Sequence, residues 1–200
     1  VISFQWAPDG EGIYFIALDL KCQEEFEKRK ELYGDFSYAE RDHTWNSLYF
    51  REVGPDEDLI KANSTPKDLR QKNQQEDQEP ERKLFGDENH HVLGFAVSPD
   101  SKSIATIAAP GSDAGATEDA KAYLFDIATS ELKELPVSRP LDNSGVVLFS
   151  PDGNKICYGR PINEGKWLNV TTLEILDLKS GDISRPLIDL DECTFPVRWS

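Results

Sequence analysis

No apolar run in this chain approaches the ~20 residues that a membrane-spanning helix requires, which excludes a helical membrane anchor within it. The opening residues, Val1-Ile2-Ser3-Phe4-Gln5-Trp6, lack a basic stretch followed by an apolar one. They show no signal peptide and read as a strand. Cysteine is scarce: Cys22, Cys157 and Cys193 are the only three, and none lies in a Cys-x-x-Cys pair. An odd count without paired spacing excludes a disulfide framework and a zinc signature. It favours a reducing compartment, so localisation stays open with the cytoplasm preferred. Cys157 falls in an apolar strand pattern and is expected in the core. Positive charge is also short, with 22 Lys and Arg against 37 Asp and Glu and a net charge of −15. Such a surface repels phosphate backbones and argues against a nucleic-acid partner. A hydrophobic content of 38% and a mean hydropathy of −0.55 belong to a soluble chain, and 200 residues are enough for a domain with a core.

What is present is a repeat. Phe4-Gln5-Trp6-Ala7-Pro8-Asp9-Gly10 is followed by Gly12-Ile13-Tyr14-Phe15-Ile16. Phe95-Ala96-Val97-Ser98-Pro99-Asp100-Ser101 and then Ser103-Ile104-Ala105-Thr106-Ile107 repeat the pattern, as do Val147 to Gly153 and Lys155 to Tyr158. Pro presets φ for the first turn position, Asp can bond nearby backbone N–H groups, and Gly supplies positive φ. Two apolar runs around such a turn make a hairpin. Each repeat has a second half: Ser47 to Gly54, Ala122 to Leu132, and Thr172 to Ile183. Pro99 lies 27 residues before Asp126, and Pro151 lies 26 before Asp177. Four short strands in about 40–50 residues match one blade of a β-propeller.

The expected fold is therefore all-β: a partial β-propeller over 1–200. It has about three four-stranded antiparallel blades, near 1–88, 89–140 and 141–192. The first strand of a fourth blade is expected within 193–200, around Val197-Arg198-Trp199. Two insertions lengthen the first blade. The first, about 19–37, contains Gln23 to Leu32, which reads as a short helix with Glu24–Lys28 and Glu25–Arg29 pairs and Gly34 as its stop. The second, about 62–85, includes a stretch from Gln71 to Pro80 without one apolar residue, which reads as a surface loop. Pro110 to Thr117 is a third, smaller loop.

The Pro-Asp-Gly hairpins resemble the propeller repeats of TolB-like proteins and of the prolyl oligopeptidase family of serine peptidases. The run Arg29-Lys30-Glu31-Leu32-Tyr33-Gly34-Asp35-Phe36, then Glu40-Arg41-Asp42-His43 and Ser47-Leu48-Tyr49-Phe50, is similar to the first blades of dipeptidyl-peptidase-like and acylaminoacyl-peptidase-like members. The resemblance implies a parent peptidase whose α/β-hydrolase domain carries a Ser-Asp-His triad with the serine on a Gly-x-Ser-x-Gly elbow. This chain contains no Gly-x-Ser-x-Gly, so no triad residue maps onto it and no catalytic residue is assigned.

Several residues invite chemistry. Asp42 and His43 are neighbours on an expected strand and point to opposite faces, which argues against a dyad. His90-His91 lacks a third ligand at useful spacing, so no metal is assigned. Glu24-Glu25 is the one substrate-binding candidate: the resemblance implies a carboxylate pair that holds a peptide's free amino terminus. A solvated helix face is the plainer reading of the same pair. Trp6 and Trp199 occupy matching positions before a turn and are expected to pack. Trp45 and Trp167 complete the set, with Trp167 expected in an exposed loop. The resulting expectation is a substrate-gating propeller that meets peptides through its parent enzyme and packs on an intramolecular hydrolase domain. It needs no cofactor, nucleic acid or membrane. The alternatives are a non-catalytic TolB-like or WD-type propeller that binds a protein, and a propeller enzyme of lactonase type, for which no metal cluster is apparent.

Overall fold

The computed structural model describes residues 1–34, 44–53, 81–112, 116, 119–137, 141, 145–161, 171–190, 193–194 and 196–199, without the side chains of Gln23 and Phe26. The repeat becomes three four-stranded antiparallel sheets. The first contains β1 (Ser3–Trp6), β2 (Gly12–Leu18), β3 (Asn46–Glu52) and β4 (Arg82–Phe85), with α1 (Leu20–Tyr33) between β2 and β3. The second contains β5 (His91–Val97), β6 (Ser103–Ala109), β7 (Lys121–Asp126) and β8 (Leu132–Glu134). The third contains β9 (Val147–Phe149), β10 (Lys155–Pro161), β11 (Thr171–Asp177) and β12 (Ile183–Ser184). In every sheet the strands lie in chain order. No described helix is long and apolar enough to cross a membrane.

The turn chemistry explains this regularity. Asp9, Asp100 and Asp152 accept the backbone N–H two residues on, from Glu11, Lys102 and Asn154. Ser98 and Ser150 each donate a hydroxyl hydrogen to the turn aspartate at 2.6 Å. The third position needs positive φ, and Gly10, Ser101 and Gly153 supply 81°, 56° and 70°. Ser101 is the exception to glycine and carries the cost of that conformation. A second aspartate turn closes the outer hairpins. Asp126 accepts from Ala128 and Thr129, and Asp177 accepts from Lys179 and Ser180.

The sheets stack through apolar faces. Between the first and second lie Tyr14, Ile16, Leu48 and Phe85 against Val92, Ile104, Ala108 and Phe125. Between the second and third lie Ala105, Ile107 and Ala122 against Val147, Ile156, Tyr158 and Leu176. Strand β6 alternates between these clusters, so the middle sheet is covered on both sides. Such two-sided burial is what stacked blades require. Where β5 and β9 converge, a Cβ on Gly94 would collide with the Gly145 carbonyl. This approach of backbones is open only to glycine.

Four expectations change. The helix begins at Leu20, three residues before Gln23, because Asp19 caps it. Strand β4 occupies Arg82–Phe85, inside the span assigned to the second insertion; Leu84 and Phe85 pack on the inter-sheet core despite the charged pair before them. Trp6 is 55% exposed and Phe4 65%. Their side of β1 faces away from the second sheet, toward which Gln5 reaches to accept the Val97 N–H. Finally, residues 193–194 and 196–199 form no strand. An extended segment becomes a strand only when a neighbour completes its ladder, and Trp199 is held instead through Nε1 by the Leu148 carbonyl. Asp42-His43, Gln71 to Pro80 and Trp167 lie outside the described residues.

Candidate functional site on the helix-bearing rim

Antiparallel connectivity gives the stack two rims. One holds the Pro-Asp turns, where Pro99 approaches Gly153. The opposite rim holds the far ends of the second strands and the starts of the third: Leu18 and Asn46 with α1 in the first sheet, Ala109 and Lys121 in the second, and Pro161 and Thr171 in the third. The start of β3 meets the start of β5 there, where the Asn46 backbone N–H donates to His91 Nδ1 at 3.1 Å.

Helix α1 is fixed to this rim at its first turn. Asp19 follows β2 and is 3% exposed. Its Oδ1 accepts the Lys21 N–H at 2.9 Å, as an N-cap does. Its Oδ2 accepts from Ser47 Oγ at 2.7 Å and from Lys83 Nζ at 2.6 Å. Burial alone would raise this carboxyl's pKa. The donors Lys83, Ser47 and Lys21 outweigh it and hold the group below its usual range. One carboxylate thus joins the helix to β3 and β4. Tyr49, stacked on Phe15, accepts the Leu20 N–H through its hydroxyl. At the far end, Gly34 takes φ 72° and donates to the Lys30 carbonyl.

Glu24 and Glu25 both lie on α1 and both are exposed. Consecutive helical residues are about 100° apart. Both stand on the part of α1 that follows its anchored first turn.

The two histidines diverge. His91 is half-buried in the seam between the first and second sheets, and burial lowers its pKa. His90 turns outward, with Nδ1 2.9 Å from Asp87 Oδ1 and its ring between Phe85 and Tyr123. Among the described residues, no group of three or more His, Cys, Asp or Glu side chains is arranged to hold a metal. Trp45 is buried. Cys157 is buried as expected, and its thiol is pushed up to about 11, which makes it unreactive.

Sequence reasoning missed one charged cluster entirely. Glu174 is 0% exposed. It accepts from the Tyr158 hydroxyl at 2.8 Å and from Arg185 Nε at 2.6 Å, with Arg160 at 3.5 Å. In Thr171-Thr172-Leu173-Glu174-Ile175-Leu176 the glutamate sits at an inward position of an apolar strand. That misplaced charge is the signal that could have revealed it.

No protein-family model matches the chain, and no curated protein does. Among solved structures, TolB from Acinetobacter baumannii matches with a TM-score of 0.50 at 13% identity, over 92% of this chain and 32% of that one. An acylaminoacyl peptidase from Pyrococcus horikoshii matches at 0.49 and 9% identity, over 86% and 22%. A puromycin-hydrolyzing peptidase from Mycobacterium tuberculosis matches at 0.44 and 12%, over 72% and 18%. This chain therefore spans about a third of the TolB structure and about a fifth of each peptidase. At these identities the likeness is one of fold, and the fold that this chain shares with TolB is that of a partial β-propeller.

Proposed function

We propose that this chain is the propeller portion of a serine peptidase of the prolyl oligopeptidase family, with the α/β-hydrolase domain outside it. Its work is selection: a ring of blades over a hydrolase admits short peptides and turns folded proteins away. Helix α1 carries this reading. A charged helix ending in Tyr33-Gly34 lies between the second and third strands of the first blade, where the sequence resemblance puts it. Asp19 roots that helix in the sheet rather than leaving it as a loose insertion. In this reading Glu24 and Glu25 are the residues that meet a substrate's free amino terminus.

The test uses the full-length protein with aminoacyl and peptidyl chromogenic substrates. Hydrolysis abolished by a serine-directed inhibitor is the expected result. Glu24→Gln with Glu25→Gln should raise KM for substrates with a free amino terminus and leave N-acetylated ones unchanged. An unchanged KM would return the pair to a solvated role. A full-length protein without a downstream Gly-x-Ser-x-Gly and without hydrolysis would sink the peptidase reading. The second reading, a non-catalytic TolB-like or WD-type propeller that binds a protein partner, would then stand. It is favoured by the match to TolB.

A further inference from the structure

The seam between the second and third sheets opens at the Pro-Asp rim, opposite the rim that carries α1, into a cleft of about 370 Å³. Half-buried Leu124, Phe149 and Leu178, which pack on the core between those sheets, line its depth. Exposed Pro99, Asp100, Pro151 and Asp152 line its mouth. The two turns stand side by side, with Pro99 Cδ 3.6 Å from where a Cβ on Gly153 would lie. Each sheet thus contributes one carboxylate to the same opening. Both carboxylates are fixed by their turns. Asp100 Oδ1 accepts from the Ser98 hydroxyl at 2.6 Å and from the Lys102 N–H at 3.2 Å. Asp152 Oδ1 accepts from the Ser150 hydroxyl at 2.6 Å and from the Asn154 N–H at 3.0 Å. Hydrogen bonds hold both carboxyls below their usual pKa range, from Ser98 first for Asp100 and from the Asn154 side chain first for Asp152, so both are ionised at neutral pH.

Charge and shape select the occupant. Among the described residues that line the cleft there is no lysine, arginine or histidine. Lys102 stands 4.0 Å from Asp100 Oδ2, but it lies outside the lining and is 79% exposed, and a pair so exposed contributes little. Lys155 is the ladder partner of Asp177 in the third sheet and also lies outside the lining. Two carboxylates beside an apolar floor repel an anion and favour a cation with an apolar stem. No group of three or more His, Cys, Asp or Glu side chains forms here among the described residues, as a metal ion would need. An ammonium is a compact, strongly hydrated point charge. A guanidinium is less strongly hydrated and spreads five N–H donors over a plane, so it can serve carboxylates on two sides.

We infer that this cleft is a docking site for an arginine side chain presented by a protein partner. The methylene stem lies along Leu124, Phe149 and Leu178, and the guanidinium donates to Asp100 on one side and Asp152 on the other. The inference does not rest on the peptidase reading, because the cleft is on the rim away from Glu24 and Glu25 and is tested by binding and not by hydrolysis.

The test is calorimetric titration of the full-length protein with acetyl-Gly-Arg-Gly-amide, and with the same peptide carrying either lysine or the neutral isostere citrulline in place of arginine. The arginine peptide should bind at least about tenfold tighter than the citrulline peptide and about threefold tighter than the lysine peptide. Asp100→Asn and Asp152→Asn should each weaken its binding about tenfold. Asparagine keeps an acceptor for the turn N–H, so the charge goes while the turn stays. Asp9→Asn removes the equivalent charge from the first sheet's turn, outside the cleft, and should change the affinity by less than about twofold. Should an asparagine variant fail to fold, the citrulline comparison on the unaltered protein still decides. Equal binding of the arginine and citrulline peptides, or of the arginine and lysine peptides, would overturn the assignment. So would a loss in Asp9→Asn as large as in the cleft variants, which would show only the diffuse attraction of a chain whose net charge is −15.

Discussion

Asp19 and Gly94 show how much of this architecture depends on single side chains. Asp19 is at once the cap of α1, the acceptor for Ser47 and the ion partner of Lys83. Removing it leaves a helix N-terminus uncapped and a buried hydroxyl without its acceptor. Asp19→Ala should cost about 2 kcal/mol, read as a lower urea midpoint, and amide exchange should speed up at residues 20–24 before it does in the sheets. Its carboxyl has a lowered folded pKa. The stability it contributes is therefore present above the unfolded value near 3.9 and is lost as pH falls through the folded one. Gly94 is a different case, since substituting it removes no polar side chain, although its carbonyl accepts the buried Thr106 hydroxyl at 2.9 Å. A methyl group there would strike the Gly145 backbone, and a backbone cannot swing aside as a side chain can. Gly94→Ala should destabilise by about 2–4 kcal/mol. A thermal midpoint equal to wild type would show that β5 and β9 do not approach so closely.

The elements were legible in the chain to the extent that their signals are local. Pro-Asp-Gly hairpins announce themselves because each residue type has one job in the turn, and all three inner hairpins form as read. The body of α1 was readable from its charge pairs and Gly34. Its first turn was not, because the capping role of Asp19 becomes visible only once Ser47 and Lys83 come near it, 28 and 64 residues away in sequence. Strand β4 was hidden for a related reason. Arg82-Lys83-Leu84-Phe85 is too short and too charged to stand out beside a polar stretch, and its apolar half is used only when the next sheet covers it. The Glu174 cluster was unreadable in the same sense. Tyr158 could be placed in a strand, but its pairing with Glu174 depends on register. Once that register is known, Tyr158→Phe should cost about 1–2 kcal/mol, because a buried carboxylate oxygen loses its donor. A smaller loss on equilibrium unfolding would mean that the arginines suffice.

Between whole sheets, polar contacts at the rims supplement the apolar seams, and His91 makes one of them sensitive to acid. Its Nδ1 accepts the Asn46 N–H, which requires an unprotonated nitrogen, and burial lowers its folded pKa. In the unfolded chain the imidazole takes up its proton near pH 6.5. Below that pH the unfolded state binds more protons than the folded one. Stability present above about pH 6.5 is then lost as pH falls through the folded value. Replacing His91 with Gln, which keeps an acceptor but does not titrate, should flatten the dependence of the urea midpoint between pH 7 and pH 5. An equal slope in the variant would place the acid sensitivity elsewhere. The middle sheet has a further consequence for how this protein changes over generations. With neighbours pressed on both of its broad sides, it has no outer surface where altered residues can be hidden. Substitutions will be tolerated in the links at its two ends, while β6 must keep the small side chains Ala105, Ala108 and Ala109. Chains descended from a common ancestor with this one should differ widely in the length of those links and hardly at all in the bulk carried by that strand.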